Sequence, residues 1–244
     1  MGLDIVHTLW VRGQLSKLEC LTIKLLQKHG HEVHLWSFDK IDNAPEGTVL
    51  RNAAEVLPEE SIFTFKGAPV SGIPKGGIGS LSHWSDQFQL KVLYKEGGIY
   101  SQLDVACLKP LDFADDYKFV AYGENYIAAF LMKCPKGSLF AGATSAVLNQ
   151  HVNGSMTEKM DWNFSMQLIG FCLKRTLPEY KKYILPQNHF LDLGCKKTGP
   201  FFDATEPSPD QYIIHWSNAT VNEHKNEPIP GSYYHKLLQS VDLA

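Results

Sequence analysis

The 244 residues are enough for one α/β domain with a sizeable core, and 44% hydrophobic with 20% charged residues excludes a disordered or fibrous chain. The 23 basic and 26 acidic residues, net −3, are interspersed, which leaves no basic footprint for nucleic acid, so no nucleic-acid partner is expected. Five widely spaced cysteines (Cys20, Cys107, Cys134, Cys172, Cys195) form no C-x-x-C pair and read as buried, reduced thiols. Asp4 stands where a signal peptide needs positive charge, and no apolar run reaches the ~18 residues of a membrane span. A cytoplasmic chain without a transmembrane segment is expected, which leaves room for peripheral membrane association.

Ile5 to Trp10 suits a first buried strand that runs into a loop at Val11-Arg-Gly-Gln. Ser16-Lys-Leu-Glu19 is a capping box preceded by Leu15 as a staple, Leu18, Leu21 and Leu25 recur at helical spacing, and Gly30 supplies a helix stop. Glu32 to Phe38 alternates as a second strand. A β-α-β opening predicts a parallel pair and a Rossmann-like sheet. Between Asp39 and Gly79, the prolines Pro45, Pro58, Pro69 and Pro74 with Gly76-Gly77 predict short strands and loops. Trp84 to Lys95 reads as a helix with a broad apolar face, stopped at Gly97-Gly98, with Asp86 in its first turn. Ile99 to Ser101, Lys118 to Tyr122 and Tyr126 to Met132 read as strands. Ser138 to Gln150 and Asn163 to Thr176 read as helices, and an irregular tail is expected from Pro207.

The segment Ser85-Asp-Gln-Phe-Gln-Leu-Lys-Val-Leu-Tyr-Lys-Glu-Gly-Gly-Ile-Tyr-Ser-Gln-Leu-Asp-Val-Ala-Cys-Leu-Lys-Pro110 resembles the donor-binding core of the DXD-motif sugar transferases. That group includes bacterial capsular polysaccharide enzymes, yeast-type mannosyltransferases and clostridial glucosylating toxins. Val6-His-Thr-Leu-Trp10 resembles the family's first strand, Tyr212-Ile-Ile-His-Trp-Ser217 its late histidine segment, and Thr198-Gly-Pro200 a further turn. The resemblance implies a GT-A type α/β fold: one domain over 1–244, with a Rossmann-like, mostly parallel central sheet flanked by helices. Residues 1–110 would form the half that binds nucleotide-sugar and 111–244 the acceptor side. It also implies a hexosyltransferase that moves a sugar, with retention, from a nucleotide-diphosphate sugar such as a UDP-sugar to a glycan or other hydroxyl acceptor, in surface polysaccharide synthesis.

A nucleotide diphosphate departs as a charged group, and a hard cation such as Mn²⁺ or Mg²⁺ held by carboxylates neutralises that charge. Side chains two apart on a strand share a face, so D-x-D presents two carboxylates to one ion. Here the family's first aspartate falls on Gln102 and the second on Asp104. The resemblance makes Asp104 and His215 metal ligands, Asp104 also catalytic, with Tyr100, Ser101, Gln102 and Leu103 in the donor-contacting stretch. Three outcomes stay open: a metal held by Asp104, His215 and the diphosphate, little metal dependence, or donor binding without turnover.

Thr8, Leu9 and Trp10 lie where open α/β sheets bind ligands, which suits base recognition, although Trp10 also suits a core. Asp86 reads either as an acid favouring the helix dipole or as a donor contact. Gln89 replaces the arginine of many relatives and brings no charge to a phosphate or carboxylate. His215 is either a core histidine or a ligand, Trp216 stacks or shields, and Ser217 and Asn218 are phosphate or sugar contacts. Glu124 and Asp203 either position the acceptor hydroxyl as catalytic acids or serve structure. Two rivals remain: a donor-binding pseudoenzyme or partner subunit, and a nucleotidyltransferase. The second needs a glycine-rich phosphate loop that Arg12-Gly-Gln-Leu does not provide.

Overall fold

The computed structural model describes residues 2–71, 77–123, 126–153 and 160–244. The chain forms two compact units, unit 1 from 1–51, 102–112 and 186–244, and unit 2 from 52–101 and 113–185.

In unit 1, β1 (Val6–Leu9), α1 (Lys17–Lys28) and β2 (Val33–Ser37) make the expected opening, and β1 runs parallel to β2 with Val6 opposite Val33 and Leu9 opposite Trp36. The capping box closes as read: Ser16 Oγ accepts from Leu18 N at 3.3 Å, and Glu19 Oε2 accepts from Ser16 N at 2.6 Å. Gly30 follows the helix at φ +89°. All five residues of β2 are buried, so this strand has both faces covered and does not alternate. β3 (Val49–Asn52) is largely exposed.

A second, smaller sheet in unit 1, of order β5-β9-β8, has no counterpart among the strands expected from the sequence. It comprises β5 (Val105–Cys107), β8 (Phe190–Asp192) and β9 (Ile213–His215), with β9 antiparallel to β5 and parallel to β8. α1 packs against β5, and Thr22 Oγ1 donates to the Leu103 carbonyl at 2.7 Å. The tail expected to be irregular instead carries β9 and the helices α5 (Asn218–Val221) and α6 (Tyr233–Gln239). Tyr234 of α6 is fully buried and stacks on Phe201 at 4.2 Å. Each such aromatic contributes roughly 1.5–3 kcal/mol on burial.

Unit 2 contains α2 (Ser82–Glu96), β4 (Gly98–Ser101), β6 (Lys118–Gly123), β7 (Tyr126–Cys134), α3 (Leu139–Asn153) and α4 (Phe164–Thr176). Its strands run β4-β7-β6, both neighbours antiparallel to β7, with α4 against β7 and α3 between α2 and α4. α2 stops where predicted. Gly97 has φ +76° and a Cβ there would sit 2.6 Å from Lys136 N, so only glycine fits. The strands of unit 1 thus run parallel at β1–β2, and those of unit 2 are antiparallel at β4–β7 and β7–β6.

Candidate active site

The small sheet of unit 1 sets three ionisable side chains next to one another. Its register pairs His215 with Val105 on one side and with Asp192 on the other, and Asp104 immediately precedes Val105. His215 Nδ1 is 2.7 Å from Asp192 Oδ1, and His215 Nε2 is 3.5 Å from Asp104 Oδ2. The Asp104 carbonyl accepts from Trp216 N at 2.8 Å, which locks the turn before β5 onto the end of β9. Asp104 Oδ2 also accepts from the backbone N of Asn218 at 2.7 Å. That donor is aimed by Ser217, a non-glycine residue in left-handed backbone at φ 57°. Such a conformation costs on the order of 1–3 kcal/mol and persists only where its surroundings fix it.

Burial opposes the charge on both partners, and their mutual attraction overcomes it. Burial pulls His215 down, but Asp104 and then Asp192 outweigh it and hold the imidazole pKa at about 9. Burial pushes Asp104 up, but His215 and the Asn218 N–H bring it below its ordinary value. Without a cation, an imidazolium therefore sits between two carboxylates.

The same geometry suits a hard divalent cation. Two donors at roughly right angles on an ion about 2.1 Å from each lie about 3 Å apart, close to the separation of Asp104 Oδ2 and His215 Nε2. Asp192 occupies the other ring nitrogen, as a carboxylate does behind most metal-bound imidazoles. Among the described residues no group of three His, Cys, Asp or Glu is placed to hold a metal. Asp104 and His215 would therefore share an ion with oxygens of a bound diphosphate, water or the Gln102 carbonyl, a mixed nitrogen and oxygen set that suits Mn²⁺ better than Mg²⁺.

Beside this pair stands Lys225, which the sequence reading missed. Its Nζ donates to Glu19 Oε1 at 3.0 Å and Asn218 Oδ1 at 3.5 Å, and lies 5.6 Å from the centre of the Trp10 ring. The Tyr234 hydroxyl donates to its carbonyl at 2.6 Å. Trp10, at the end of β1, is only half-buried, so it is not core, whereas Thr8 is fully buried with an unpartnered Oγ1. Trp216 is fully buried against Phe201 and Tyr234, which makes it a packing residue and not an exposed stacking platform. Leu103 is buried, and Gln102 is partly exposed.

In unit 2, α2 begins at Ser82 and has no acid in its first turn, so the dipole reading of Asp86 fails. Asp86 is instead buried one turn further on, where desolvation raises its pKa to about 7 despite a hydrogen bond from Ser165. Ser165 Oγ also lies 2.6 Å from His83 Nδ1. Burial drives His83 down to about 4, and its Nε2 has no partner. Gln89, one turn beyond Asp86, is buried with neither its amide oxygen nor its nitrogen partnered. Tyr100 and Ser101 are buried, and burial followed by Asp86 raises the Tyr100 phenol.

Of the two acceptor-side acids, Asp203 is exposed and holds a turn, its carboxylate accepting from Gly199 N and Thr205 N at 2.9 Å each. A hydrogen bond from the Thr205 hydroxyl, followed by the backbone N–H groups of Thr205 and Gly199, lowers its pKa, which makes it a weak base. Glu124 lies outside the described residues. All five cysteines are free; four are buried as expected, and Cys195 is exposed.

Residues 72–120 match the family described as the glycosyltransferase sugar-binding region containing the DXD motif. Residues 72–120 are therefore similar to a glycosyltransferase sugar-binding region. Within it fall Asp86, Gln89, Tyr100, Ser101, Gln102, Leu103 and Asp104, while Asp192, His215 and Lys225 lie beyond it. No curated protein matches the sequence significantly. Among solved structures, the PaToxG glycosyltransferase superposes with a TM-score of 0.51 at 14% identity, covering 74% of this chain and 72% of that one. An active-site mutant of LgtC gives 0.51 at 12% identity, covering 98% and 96%. The shared feature is the GT-A glycosyltransferase fold. No described helix of the chain is long and apolar enough to cross a membrane.

Proposed function

We propose that this glycosyltransferase passes a hexose from a nucleotide-diphosphate sugar, a UDP-sugar in the first instance, to a hydroxyl of a glycan acceptor. The Asp104–His215 pair, with Oδ2 and Nε2 3.5 Å apart and Asp192 behind the imidazole, carries this reading. In the reaction the acceptor oxygen bonds to the anomeric carbon as the bond from that carbon to the diphosphate oxygen breaks; the nucleotide diphosphate leaves and the acceptor proton is released.

Asp104 and His215 would hold a Mn²⁺ or Mg²⁺ ion, which when bound offsets the charge on the departing diphosphate. Lys225 adds a positive charge on the same side, pre-oriented by Glu19 and Asn218. Trp10 offers an aromatic face to the base. Within unit 2, Asp86 and Gln89 form a polar face of their own, a buried carboxyl near neutrality beside an unpartnered amide, groups that gain from a polar ligand. Retention, a cytoplasmic site of action with peripheral membrane association, and a place in surface polysaccharide synthesis extend this reading by analogy with the family.

Gln102 favours a second reading, donor binding without turnover, because it leaves two protein donors where the family pattern has three. Incubation with UDP-glucose, UDP-galactose and GDP-mannose under Mn²⁺, Mg²⁺ or chelator, read as released nucleotide diphosphate, decides between them. Metal-stimulated release supports the transferase. Binding without release in every metal supports the second reading.

A further inference from the structure

We infer that Asp192 is the positioning residue of the cation corner: by fixing the His215 imidazole through Nδ1 it keeps Nε2 turned toward Asp104, so that these two groups meet one divalent ion. The inference rests on the donor reading above, and nothing in the family match reaches this residue, which lies outside 72–120.

Three observations converge on it. The parallel register of β8 and β9 places Asp192 directly opposite His215, so the contact is built into the sheet and does not depend on a mobile loop. Asp192 Oδ1 receives three donors, His215 Nδ1 at 2.7 Å, Gly194 N at 3.1 Å and Ser217 Oγ at 3.2 Å, and two of these come from the β9 end of the site. Ser217 is the residue held in left-handed backbone that aims Asn218 N at Asp104. One carboxylate oxygen therefore braces both routes to Asp104, the imidazole and the strained turn.

Ser217 Oγ, 3.5 Å from Nδ1, is at the limit of a hydrogen bond and a weaker brace than Asp192 at 2.7 Å. Losing the shorter of these bonds loosens the ring about its side-chain torsions, so Nε2 faces Asp104 for less of the time. A carboxylate on Nδ1 also makes Nε2 a stronger ligand, and losing such a partner typically costs about 10- to 100-fold in metal affinity.

The test follows free Mn²⁺ by electron paramagnetic resonance as it is titrated into wild type, Asp192→Asn, Asp192→Ala, His215→Ala and the Asp192→Ala/His215→Ala double variant, with and without UDP. Circular dichroism and metal-free UDP binding are recorded alongside. The expected result is a loss of about 10- to 100-fold in Mn²⁺ affinity in both single Asp192 variants, with the spectrum and metal-free UDP binding unchanged. In the His215→Ala background, removing Asp192 should change affinity by less than about twofold, because two residues that act as one are not additive.

Wild-type Mn²⁺ affinity in a folded Asp192→Ala overturns the inference, as does an equal loss in the His215→Ala background. If the alanine variant does not fold, Asp192→Asn decides by the same measure. A wild-type chain that binds UDP but no Mn²⁺ overturns the inference and leaves the donor reading standing. Asp192-dependent Mn²⁺ binding with no nucleotide binding supports the inference and contradicts the donor reading.

Discussion

The charged cluster of unit 1 and the polar face of α2 in unit 2 are built on opposite terms. At Asp104, His215 and Asp192 every charge has a partner of opposite sign, and the register of a three-stranded sheet fixes the geometry. On α2, Ser82, His83 and Gln89 each keep a buried polar atom without a partner, and Asp86 is driven toward its neutral form. An unpartnered buried polar group costs about 1–3 kcal/mol, so a helix that carries several is destabilised unless a ligand completes them. The first region is preorganised charge, and the second is stored hydrogen-bonding capacity.

Four substitutions sharpen or break the comparison. Asp104→Asn keeps an acceptor for Asn218 N but removes the charge facing His215, and donor turnover is expected to fall at least about 100-fold while the fold is retained. Wild-type donor affinity in this variant, measured by calorimetry with Mn²⁺, would remove Asp104 from the site.

Asp86→Asn should separate stability from function. The folded pKa of Asp86 is raised, so its contribution to stability is fully present below about 4 and is lost as pH rises through about 7. Above neutrality the asparagine variant is therefore expected to be more stable than wild type, by on the order of 3 kcal/mol, and equal to it near pH 4, while donor affinity falls. Urea melts at pH 4 and pH 8 check the sign; equal stability differences at both would show that Asp86 is not desolvated.

Gln102→Asp restores a second carboxylate and is expected to strengthen Mn²⁺ binding about tenfold, by the charge count that governs hard-cation sites. Unchanged metal affinity would place the ion elsewhere. Gln89→Leu removes two unpartnered atoms at similar volume and is expected to stabilise unit 2 by about 1 kcal/mol while weakening the sugar conjugate more than free UDP. A destabilised variant would mean that the amide already has a structural partner.

How much of this was legible in the sequence follows from which forces are local. α1 was readable because its capping box, its leucine spacing and Gly30 lie within one segment, and α2 ended where Gly97 requires. The larger strands carried apolar runs long enough to see. β5 and β8, three residues each, carried none, because pairing with β9 across long sequence separation makes them strands. Asp104 and His215 were singled out through motif order, and the structure sets them 3.5 Å apart. Asp192 and Lys225 were missed for one reason: each gains its role only from a partner far along the chain, His215 in one case and Glu19 and Asn218 in the other. The first-turn placement of Asp86 failed because the helix starts two residues before Trp84, at Ser82.

The most direct test of the central claim is calorimetric titration of the chain with UDP and UDP-glucose, with and without Mn²⁺, beside Asp104→Asn. The account predicts binding that Mn²⁺ strengthens in wild type and leaves unchanged in Asp104→Asn. Absence of nucleotide binding under every condition, or Mn²⁺ enhancement that survives the loss of Asp104, would contradict it.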